Sequence, residues 1–155
     1  METELRLEDF LPYRLNRALA AASRQFSRIY RDEFGLTVPE WRALAPLGEI
    51  GTATAKEIGR DSAMHKTKVS RAVASLQQRR WITRETDAWD RRLEHLTLTA
   101  AGRQAHRRLT PKMLAYEAAL LDRLTSAERH ALLTGLAALE RALGIEKAAK
   151  AEEVT

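Results

Sequence analysis

The sequence predicts a mainly α-helical fold that contains one small β-hairpin. Apolar residues make up 45% of the 155-residue chain, and they recur at helical spacing over most of its length, as in amphipathic helices that pack on a core. Several Thr residues are followed three positions later by Glu, which is a helix-start signal. One short stretch, at about residues 82–98, instead reads as two strands around a polar turn.

Six helices are expected from these signals. The capping-box pairs are Thr37 with Glu40, Thr54 with Glu57, and Thr125 with Glu128. Thr99 gives a weaker helix-start signal, because Gly102 occupies the position where the acid of a capping box would be. The predicted helices span about residues 10–33, 38–48, 54–61, 65–80, 99–123 and 126–143.

The first and last helices have apolar faces that the middle of the chain is too small to cover. Leucines at helical spacing mark both, for example from Leu132 to Leu143 in the last helix. Pairing with a second copy would bury these faces together. The sequence therefore predicts a helical dimerisation region at residues 1–36 and 99–145, a separate lobe at 37–98 and a polar tail at 146–155. A monomeric helical bundle is the alternative.

The fourth predicted helix combines one buried stripe with a polar, basic face. Its apolar residues lie at i, i+3, i+4 and i+7, and they are Val69, Ala72, Val73 and Leu76. The opposite face displays Thr67, Arg71, Ala74 and Gln78, with Lys68 and Ser75 beside it. Because such side chains can donate to phosphates and base edges, this face is suited to double-stranded DNA.

The neighbouring segments complete a DNA-binding unit. The short helix Thr54–Asp61 is joined to the fourth helix by a tight connection, which is the pattern of a helix-turn-helix. The hairpin that follows supplies a wing, and Arg91 and Arg92 at its tip can enter a narrow minor groove. The net charge of the chain is +5, and its Lys and Arg residues concentrate between Thr54 and Arg108. Residues 37–98 are therefore predicted to form a winged helix-turn-helix lobe.

Several motifs, in this order and spacing, resemble the MarR (multiple antibiotic resistance regulator) family. They are Leu36–Leu44, Ala55–Gly59, Lys66–Val73, the wing sequence Asp87-x-x-Asp90-Arg91-Arg92, and Leu96-Thr97-Leu98-Thr99-x-x-Gly102. The resemblance extends from about Leu11 to Leu143. It implies a homodimer that binds a palindromic operator and, in the usual case, a repressor that a small ligand releases from DNA.

The resemblance also assigns DNA contacts. It places Thr67, Lys68, Ser70 and Arg71 at the major groove and Arg91 or Arg92 at the minor groove, with Asp90 holding the wing arginine by an ion pair. Ser70 lies toward the side of the helix, where a phosphate contact suits it better. The full set of expected DNA-binding residues is His65, Lys66, Thr67, Lys68, Ser70, Arg71, Gln78, Arg91 and Arg92.

Two residues depart from the family pattern. His65 stands where the family commonly has an aspartate, and histidine is a poor N-cap. Either Met64 or Ser62 alters the start of the helix, or His65 itself reaches DNA. Trp89 is a large aromatic residue in a wing tip that is usually small and polar, so it either packs on a sugar or is simply exposed.

The segments Leu11–Arg17 and Phe34–Thr37 are similar to a subgroup that controls aromatic-acid degradation and responds to hydroxycinnamoyl-CoA thioesters such as feruloyl- or p-coumaroyl-CoA. Arginines on the first helix could bind CoA phosphates bidentately, although a solvated helix face is the plainer alternative. The family's pocket lies between the dimer helices and the DNA-binding lobe. The expected ligand-binding residues are Tyr13, Arg17, Arg24, Arg28, Trp41, Arg42 and Met113. A place in the core is the alternative for Trp41.

Other function classes find little support. The chain has no cysteine, which excludes disulfides and Cys-ligated zinc, and it has no Gly-rich phosphate loop. No enzyme activity, cofactor or metal is expected, and a zinc cluster of Glu94, His95 and His106 is the remaining metal alternative. With no signal peptide or membrane-length apolar run, a cytoplasmic protein without a membrane partner is expected. A nonspecific architectural DNA-binding protein, or a regulator that senses a free phenolic acid or a drug, remains an alternative.

Overall fold

The computed structural model describes residues 4–145, and the predicted polar tail at 146–155 lies outside them. The helices are α1 (Leu11–Phe34), α2 (Val38–Ile50), α3 (Ala55–Asp61), α4 (Lys66–Gln78), α5 (Ala100–Leu121) and α6 (Ser126–Ala142). The strands are β1 (Thr52–Thr54), β2 (Ile82–Thr86) and β3 (Glu94–Leu98). The predicted fold, mainly α with a winged helix-turn-helix, is confirmed.

The capping boxes form as the sequence indicates. At the start of α2 the Glu40 carboxylate accepts the Thr37 N–H at 2.7 Å, and the Thr37 hydroxyl accepts the Glu40 N–H at 3.4 Å. The same reciprocal pairing begins α3 and α6. Each box satisfies amide groups that the first helical turn leaves without partners, and so fixes where the helix begins.

The start of α5 shows why its capping motif has no acid. The Thr99 hydroxyl accepts the N–H of Gly102 at 3.1 Å, so the Thr half of the motif is present. A Cβ on Gly102 would overlap the carbonyl oxygen of Trp81. Close packing of α5 on the segment before β2 therefore requires glycine at this position.

The sheet has three antiparallel strands in the order β1–β3–β2. The hairpin β2–β3 was predicted, but β1 was missed because it is only three residues long and ends at the capping residue Thr54. One face of β3 buries Leu96 and Leu98 in the core. The other face carries His95 and Thr97.

The core lies between the C-terminal half of α1, helices α2 to α5 and the inner face of the sheet. Its fully buried side chains include Leu44, Leu47, Ile58, Leu76 and Leu109. The terminal helices behave differently, because α6 has no buried residue and residues 11–20 of α1 are all exposed. Among residues 4–145, no helix is both long enough and apolar enough to cross a membrane.

Candidate nucleic-acid interface and adjoining groove

Helices α3 and α4 form a tight helix-turn-helix. They pass close at Gly59, where a Cβ would lie 3.2 Å from the Met64 carbonyl oxygen and 3.4 Å from Val69. The turn is made by Ala63 in the left-handed conformation, with φ 52°. Met64 is buried beside it and anchors the connection in the core.

Helix α4 buries its predicted stripe and displays its predicted polar face. The stripe residues Val69, Ala72, Val73 and Leu76 are all buried. Every expected DNA contact on this helix is exposed, namely His65, Lys66, Thr67, Lys68, Ser70, Arg71 and Gln78. The core therefore buries the apolar side of α4 and leaves its cationic, hydrogen-bonding side exposed to solvent.

His65 is the N-cap residue of α4. Its Nδ1 accepts the N–H of Thr67 at 3.5 Å, which is long for a hydrogen bond. The helix therefore starts at His65 despite the poor capping ability of histidine, and the weakly held imidazole stays exposed beside Lys66.

A buried carboxylate fixes α4 to the rest of the lobe. Glu40 is 5% exposed; the Ser75 hydroxyl donates to it, and the Arg79 Nε lies 3.7 Å away. The Arg79 guanidinium also donates to the carbonyl oxygens of Phe34 and Gly35, at 2.8 and 2.9 Å, where α1 ends. Sequence reasoning missed this link, since it treated Glu40 only as a capping residue. The available signal was the spacing of Ser75 and Arg79, one helical turn apart on α4.

The Glu40 carboxylate is held in its charged form. Burial raises the pKa of Glu40, but hydrogen bonds from Ser75 and Thr37 outweigh burial, so the pKa lies below its ordinary value. At neutral pH the junction of α1, α2 and α4 therefore contains a buried negative charge. That charge is stabilised by the hydrogen bonds and by the opposite charge of Arg79 nearby.

The wing tip is organised around Asp87. Its Oδ1 accepts the N–H groups of Trp89 and Asp90, both at 2.8 Å, and its Oδ2 lies 2.8 Å from Nε2 of His95 on β3. The Asp90 N–H, then His95 and the Trp89 N–H, lower the pKa of Asp87 to about 2. The carboxylate thus cross-links the tip to the strand. Sequence reasoning did not assign this role to Asp87 or His95.

The predicted wing arginines point into solvent. The Arg92 side chain is 94% exposed, and its Nε lies 3.9 Å from Asp90 Oδ1, so the expected ion pair is long. Asp90 instead accepts the backbone N–H of Arg92 at 3.0 Å. Arg91 is exposed beside it. Trp89 is 95% exposed, which settles that it is not packed on the protein itself.

A cavity of about 620 Å³ lies between α3, α4 and the wing. Its floor is apolar and includes Val69 and Leu96, while Lys66 and Arg84 border it. Arg84 donates to Glu94 across the hairpin at 2.7 Å. The cavity is thus continuous with the basic surface of α4.

A second concavity, of about 480 Å³, lies between α1, α2 and α5, and here it is called the aromatic groove. Three of the seven expected ligand residues line it, namely Trp41, Arg42 and Met113. Trp41 stacks on Tyr30 with centroids 5.7 Å apart and meets Phe26 edge-on at 6.0 Å. Trp41 is therefore partly a core residue and partly a wall of the groove.

The other four expected ligand residues lie outside the aromatic groove. Tyr13 is exposed on the first turn of α1. Arg17 and Arg24 border a shallow concavity along α1, and Arg28 borders another near Lys112. A single protomer therefore does not bring the seven residues into one site.

The two histidines of the zinc alternative have separate environments. His95 is bonded to Asp87, whereas the His106 ring packs so closely on α2 that a Cβ on Gly48 would overlap it. Burial lowers the pKa of His106. Within residues 4–145, no group of three or more His, Asp or Glu side chains gathers as metal ligands would.

The fold and the displayed α4 face define a winged-helix DNA-binding protein, and comparisons with known proteins specify the family. A sequence model described as the MarR family matches residues 34–93. The structure is similar to a MarR family transcriptional regulator from Silicibacter pomeroyi DSS-3, with 32% identity, 88% of this chain and 99% of that chain covered, and a TM-score of 0.74. The chain belongs to the MarR family of transcriptional regulators.

Two further structures share the fold. Another MarR family regulator from Silicibacter pomeroyi is 29% identical, with 94% and 99% of the two chains covered and a TM-score of 0.75. BpsR of Bordetella bronchiseptica, whose DNA binding is regulated by 6-hydroxynicotinic acid, is 22% identical, with 88% and 97% covered and a TM-score of 0.77. No curated protein sequence matches the chain significantly.

Proposed function

We propose that this protein is a homodimeric repressor that binds a palindromic operator and is released from DNA by a small aromatic ligand. The observation that carries the proposal is the exposed face of α4, on which all seven expected DNA contacts of the helix are free of the core. In this proposal residues 37–98 form the DNA-binding lobe, and residues 1–36 and 99–145 form the dimerisation region.

The polar face of α4 suits the major groove. Arg71 can donate bidentately to a guanine edge, and Thr67 and Lys68 lie near it on the N-terminal half of the helix. Ser70 and Gln78 are assigned to phosphates, which fix the register of the protein on the duplex. The wing places Arg91 and Arg92 at the flanking minor groove, where a narrow groove concentrates negative potential.

Dimerisation is supported by the apolar surface of the terminal helices. Large apolar side chains are exposed on α1 and α6, among them Leu11, Leu15, Leu19, Leu132, Leu133 and Leu136. Contiguous exposed apolar surface is uncommon on a soluble monomer and marks an interface. A two-fold partner covers the same surface on both copies and presents two α4 helices to two half-sites.

The aromatic groove suits a planar acid. Phe26, Tyr30, Trp41 and Tyr116 provide ring surfaces, and Arg42 at the wall provides a cation that can pair with a carboxylate. BpsR, which has the same fold, responds to a hydroxylated heteroaromatic acid. We therefore assign the effector to this groove.

The groove and α4 are joined through adjacent residues of α2. Trp41 and Arg42 line the groove, and Glu40, the preceding residue, holds Ser75 and Arg79 of α4. An effector that shifts the start of α2 would move α4 relative to the rest of the lobe. The distance between the α4 helices of the two protomers would then change. The effector changes DNA affinity only as far as it binds the two arrangements differently.

A hydroxycinnamoyl-CoA thioester is the more specific candidate effector, in a system of aromatic-acid degradation. The shallow concavity bordered by Arg17 and Arg24 overlaps the aromatic groove in position along α1 but lies on the opposite face of the helix, so a CoA thioester would have to extend around α1 to reach both. The aryl group would occupy the groove, and the arginines would pair with CoA phosphates. A free phenolic acid needs only the groove and Arg42.

The test is a gel-shift titration on the DNA upstream of the protein's own gene, with random DNA of equal length as reference. Arg71→Ala is expected to lose roughly 1–3 kcal/mol of operator binding per half-site. The control variant Arg107→Ala removes an exposed arginine of α5 that lies outside the proposed DNA-binding lobe, and it should bind as the wild type provided that sedimentation shows it to be a dimer. An equal loss on operator and random DNA would identify Arg71 as a phosphate contact, and a wild type without operator preference would indicate an architectural DNA-binding protein.

Feruloyl-CoA and free ferulate separate the effectors. We expect Arg42→Ala to bind the operator but to lose release by free ferulate, because feruloyl-CoA has a thioester in place of the carboxylate with which Arg42 would pair. Arg17→Ala should lose release by the thioester alone. A wild type that ignores both compounds contradicts the effector assignment and leaves the DNA-binding proposal standing.

A further inference from the structure

Trp89 is an anomaly in the packing of this protein. The other two tryptophans are partly buried, with Trp41 stacked on Tyr30 and Trp81 edge-on to Phe34. Trp89 is 95% exposed at the wing tip. Its indole therefore contributes almost no buried surface to the fold, so the fold itself gives no reason for a tryptophan at this position.

The backbone that presents this indole is firmly held. The N–H of Trp89 donates to Asp87 Oδ1 at 2.8 Å, and the other oxygen of the same carboxylate lies 2.8 Å from Nε2 of His95, the second residue of β3. His95 itself pairs with Thr54 of β1 and Glu85 of β2 in the sheet register. The tip is thus tied through the Asp87–His95 contact to β3, the central strand of the sheet.

We propose that Trp89 is a DNA-contacting residue whose indole packs in the minor groove that flanks each half-site, and that Asp87 and His95 are its positioning residues. The proposal rests on the proposed DNA-binding function. Proteins that bind the minor groove often insert apolar side chains into it, beside Arg or Lys side chains that enter the same groove. Arg91 and Arg92 supply those cations next to Trp89 in the chain.

The two acidic side chains of the tip do not oppose this contact. Both carboxylates accept backbone N–H groups of the tip itself, Asp87 from Trp89 and Asp90, and Asp90 from Arg92. The net effect is a turn whose acids face its own backbone while the indole and the guanidinium of Arg92 are left in solvent.

The first experiment compares Trp89→Ala and Trp89→Phe on two DNA duplexes, the operator with its natural flanks and the same operator cut back to the two half-sites. We expect Trp89→Ala to bind the flanked duplex about 5- to 150-fold more weakly per half-site, the range for replacing one aromatic residue that stacks on a nucleic-acid base. Trp89→Phe should keep most of the affinity. On the trimmed duplex the wild type and Trp89→Ala should bind equally.

Intrinsic fluorescence gives an independent readout. The emission change on adding the flanked duplex should be larger in the wild type than in Trp89→Phe, because an indole that enters the groove changes its surroundings. Equal affinity of wild type and Trp89→Ala on the flanked duplex would overturn the proposal. So would a Trp89→Ala variant whose only change is in self-association, measured by sedimentation, since that outcome makes Trp89 a protein contact.

The positioning role is tested by a double-mutant cycle. His95→Ala should lose part of the same affinity, and His95→Gln should restore it, because the Gln amide can donate to Asp87. In a Trp89→Ala background, His95→Ala should have no further effect on the flanked duplex; an undiminished effect there would overturn the positioning role. If the wild type shows no operator preference, the proposed function is wrong. If the wild type prefers the operator and Trp89→Ala binds it equally well, only the role of Trp89 is wrong.

Discussion

Replacing Glu40 tests whether the buried carboxylate fixes the recognition helix. Glu40→Ala removes three interactions, namely the cap on the Thr37 N–H at 2.7 Å, the hydrogen bond from Ser75, and the ion pair with Arg79 at 3.7 Å. The cap is worth about 0.5–1 kcal/mol. A hydrogen bond to a charged group is worth about 1.5 kcal/mol, and the long, partly exposed ion pair adds a few tenths. We therefore expect a loss of about 2–3 kcal/mol in the free energy of unfolding.

The assay is urea denaturation at fixed protein concentration, followed by circular dichroism, with Glu49→Ala as the matched control. Glu49 is an exposed glutamate on the same helix, and its replacement should change stability by less than about 0.5 kcal/mol. Glu40→Gln keeps an acceptor for one hydrogen bond but loses the charge, so it should fall between wild type and Glu40→Ala. A double-mutant cycle with Ser75→Ala should give a coupling of about 1 kcal/mol.

The pH dependence follows from the lowered pKa of Glu40. A carboxyl whose pKa is lower in the folded than in the unfolded state stabilises the fold above its ordinary value of 4.5, and this contribution is lost as the pH falls below that value. The stabilities of wild type and Glu40→Ala should therefore converge in acid. A Glu40→Ala variant as stable as the wild type at neutral pH would refute the reasoning, because it would mean that desolvation cancels the three interactions.

Three further predictions concern the backbone and the wing. Arg80 has φ 59° at the end of α4, and Arg80→Gly should raise stability by up to about 1 kcal/mol in thermal unfolding, because glycine accepts this conformation without strain. Gly102→Ala should cost about 3 kcal/mol in the same assay, since the new Cβ meets the Trp81 carbonyl oxygen, which cannot turn aside. In the wild type, the Asp87 carboxylate stabilises the fold above pH 3.8, and this contribution is lost as the pH falls toward its folded-state pKa of about 2. Asp87→Asn has no such carboxylate, so its free energy of unfolding should fall less steeply over this range.

Each of these has an outcome that contradicts it. Unchanged or lower stability of Arg80→Gly would mean that the arginine side chain contributes more than the backbone strain costs. A Gly102→Ala protein with wild-type stability would show that α5 can move away from Trp81. Identical acid profiles for wild type and Asp87→Asn would show that the contacts of Asp87 persist in the unfolded chain.

The displayed features of the lobe were predictable because they depend on local periodicity. The stripe of Val69, Ala72, Val73 and Leu76 fixes which side of α4 is buried, and the opposite side follows from helix geometry alone. The capping boxes at Thr37, Thr54 and Thr125 likewise involve residues only three positions apart. These signals need no knowledge of the tertiary structure.

The anchoring features could not be predicted because they join distant residues. Glu40 and Ser75 are 35 positions apart, and the Arg79 bonds to the end of α1 span 44 and 45. Periodicity does not show which polar residue a buried carboxylate will meet. Gly102 is instructive, since the sequence reads as an incomplete capping box and only the position of the Trp81 carbonyl oxygen explains the glycine. The seven expected ligand residues were separated for a related reason, because a helix presents residues on several faces and the pattern does not say which face meets α2 and α5.

The strength of the Glu40 link also sets a bound on regulation through α2. If the aromatic groove acts on DNA affinity only through this link, an effector cannot change the energy of positioning α4 by more than the Ser75 hydrogen bond and the Arg79 ion pair contribute, about 2 kcal/mol. Since every 1.4 kcal/mol is a factor of ten, one protomer supplies at most a change of about 30-fold. Two protomers that share an operator supply at most the square of that factor. A measured release larger than this would require a second route, such as movement of the terminal helices, and Glu40→Ala would then retain most of the effector response.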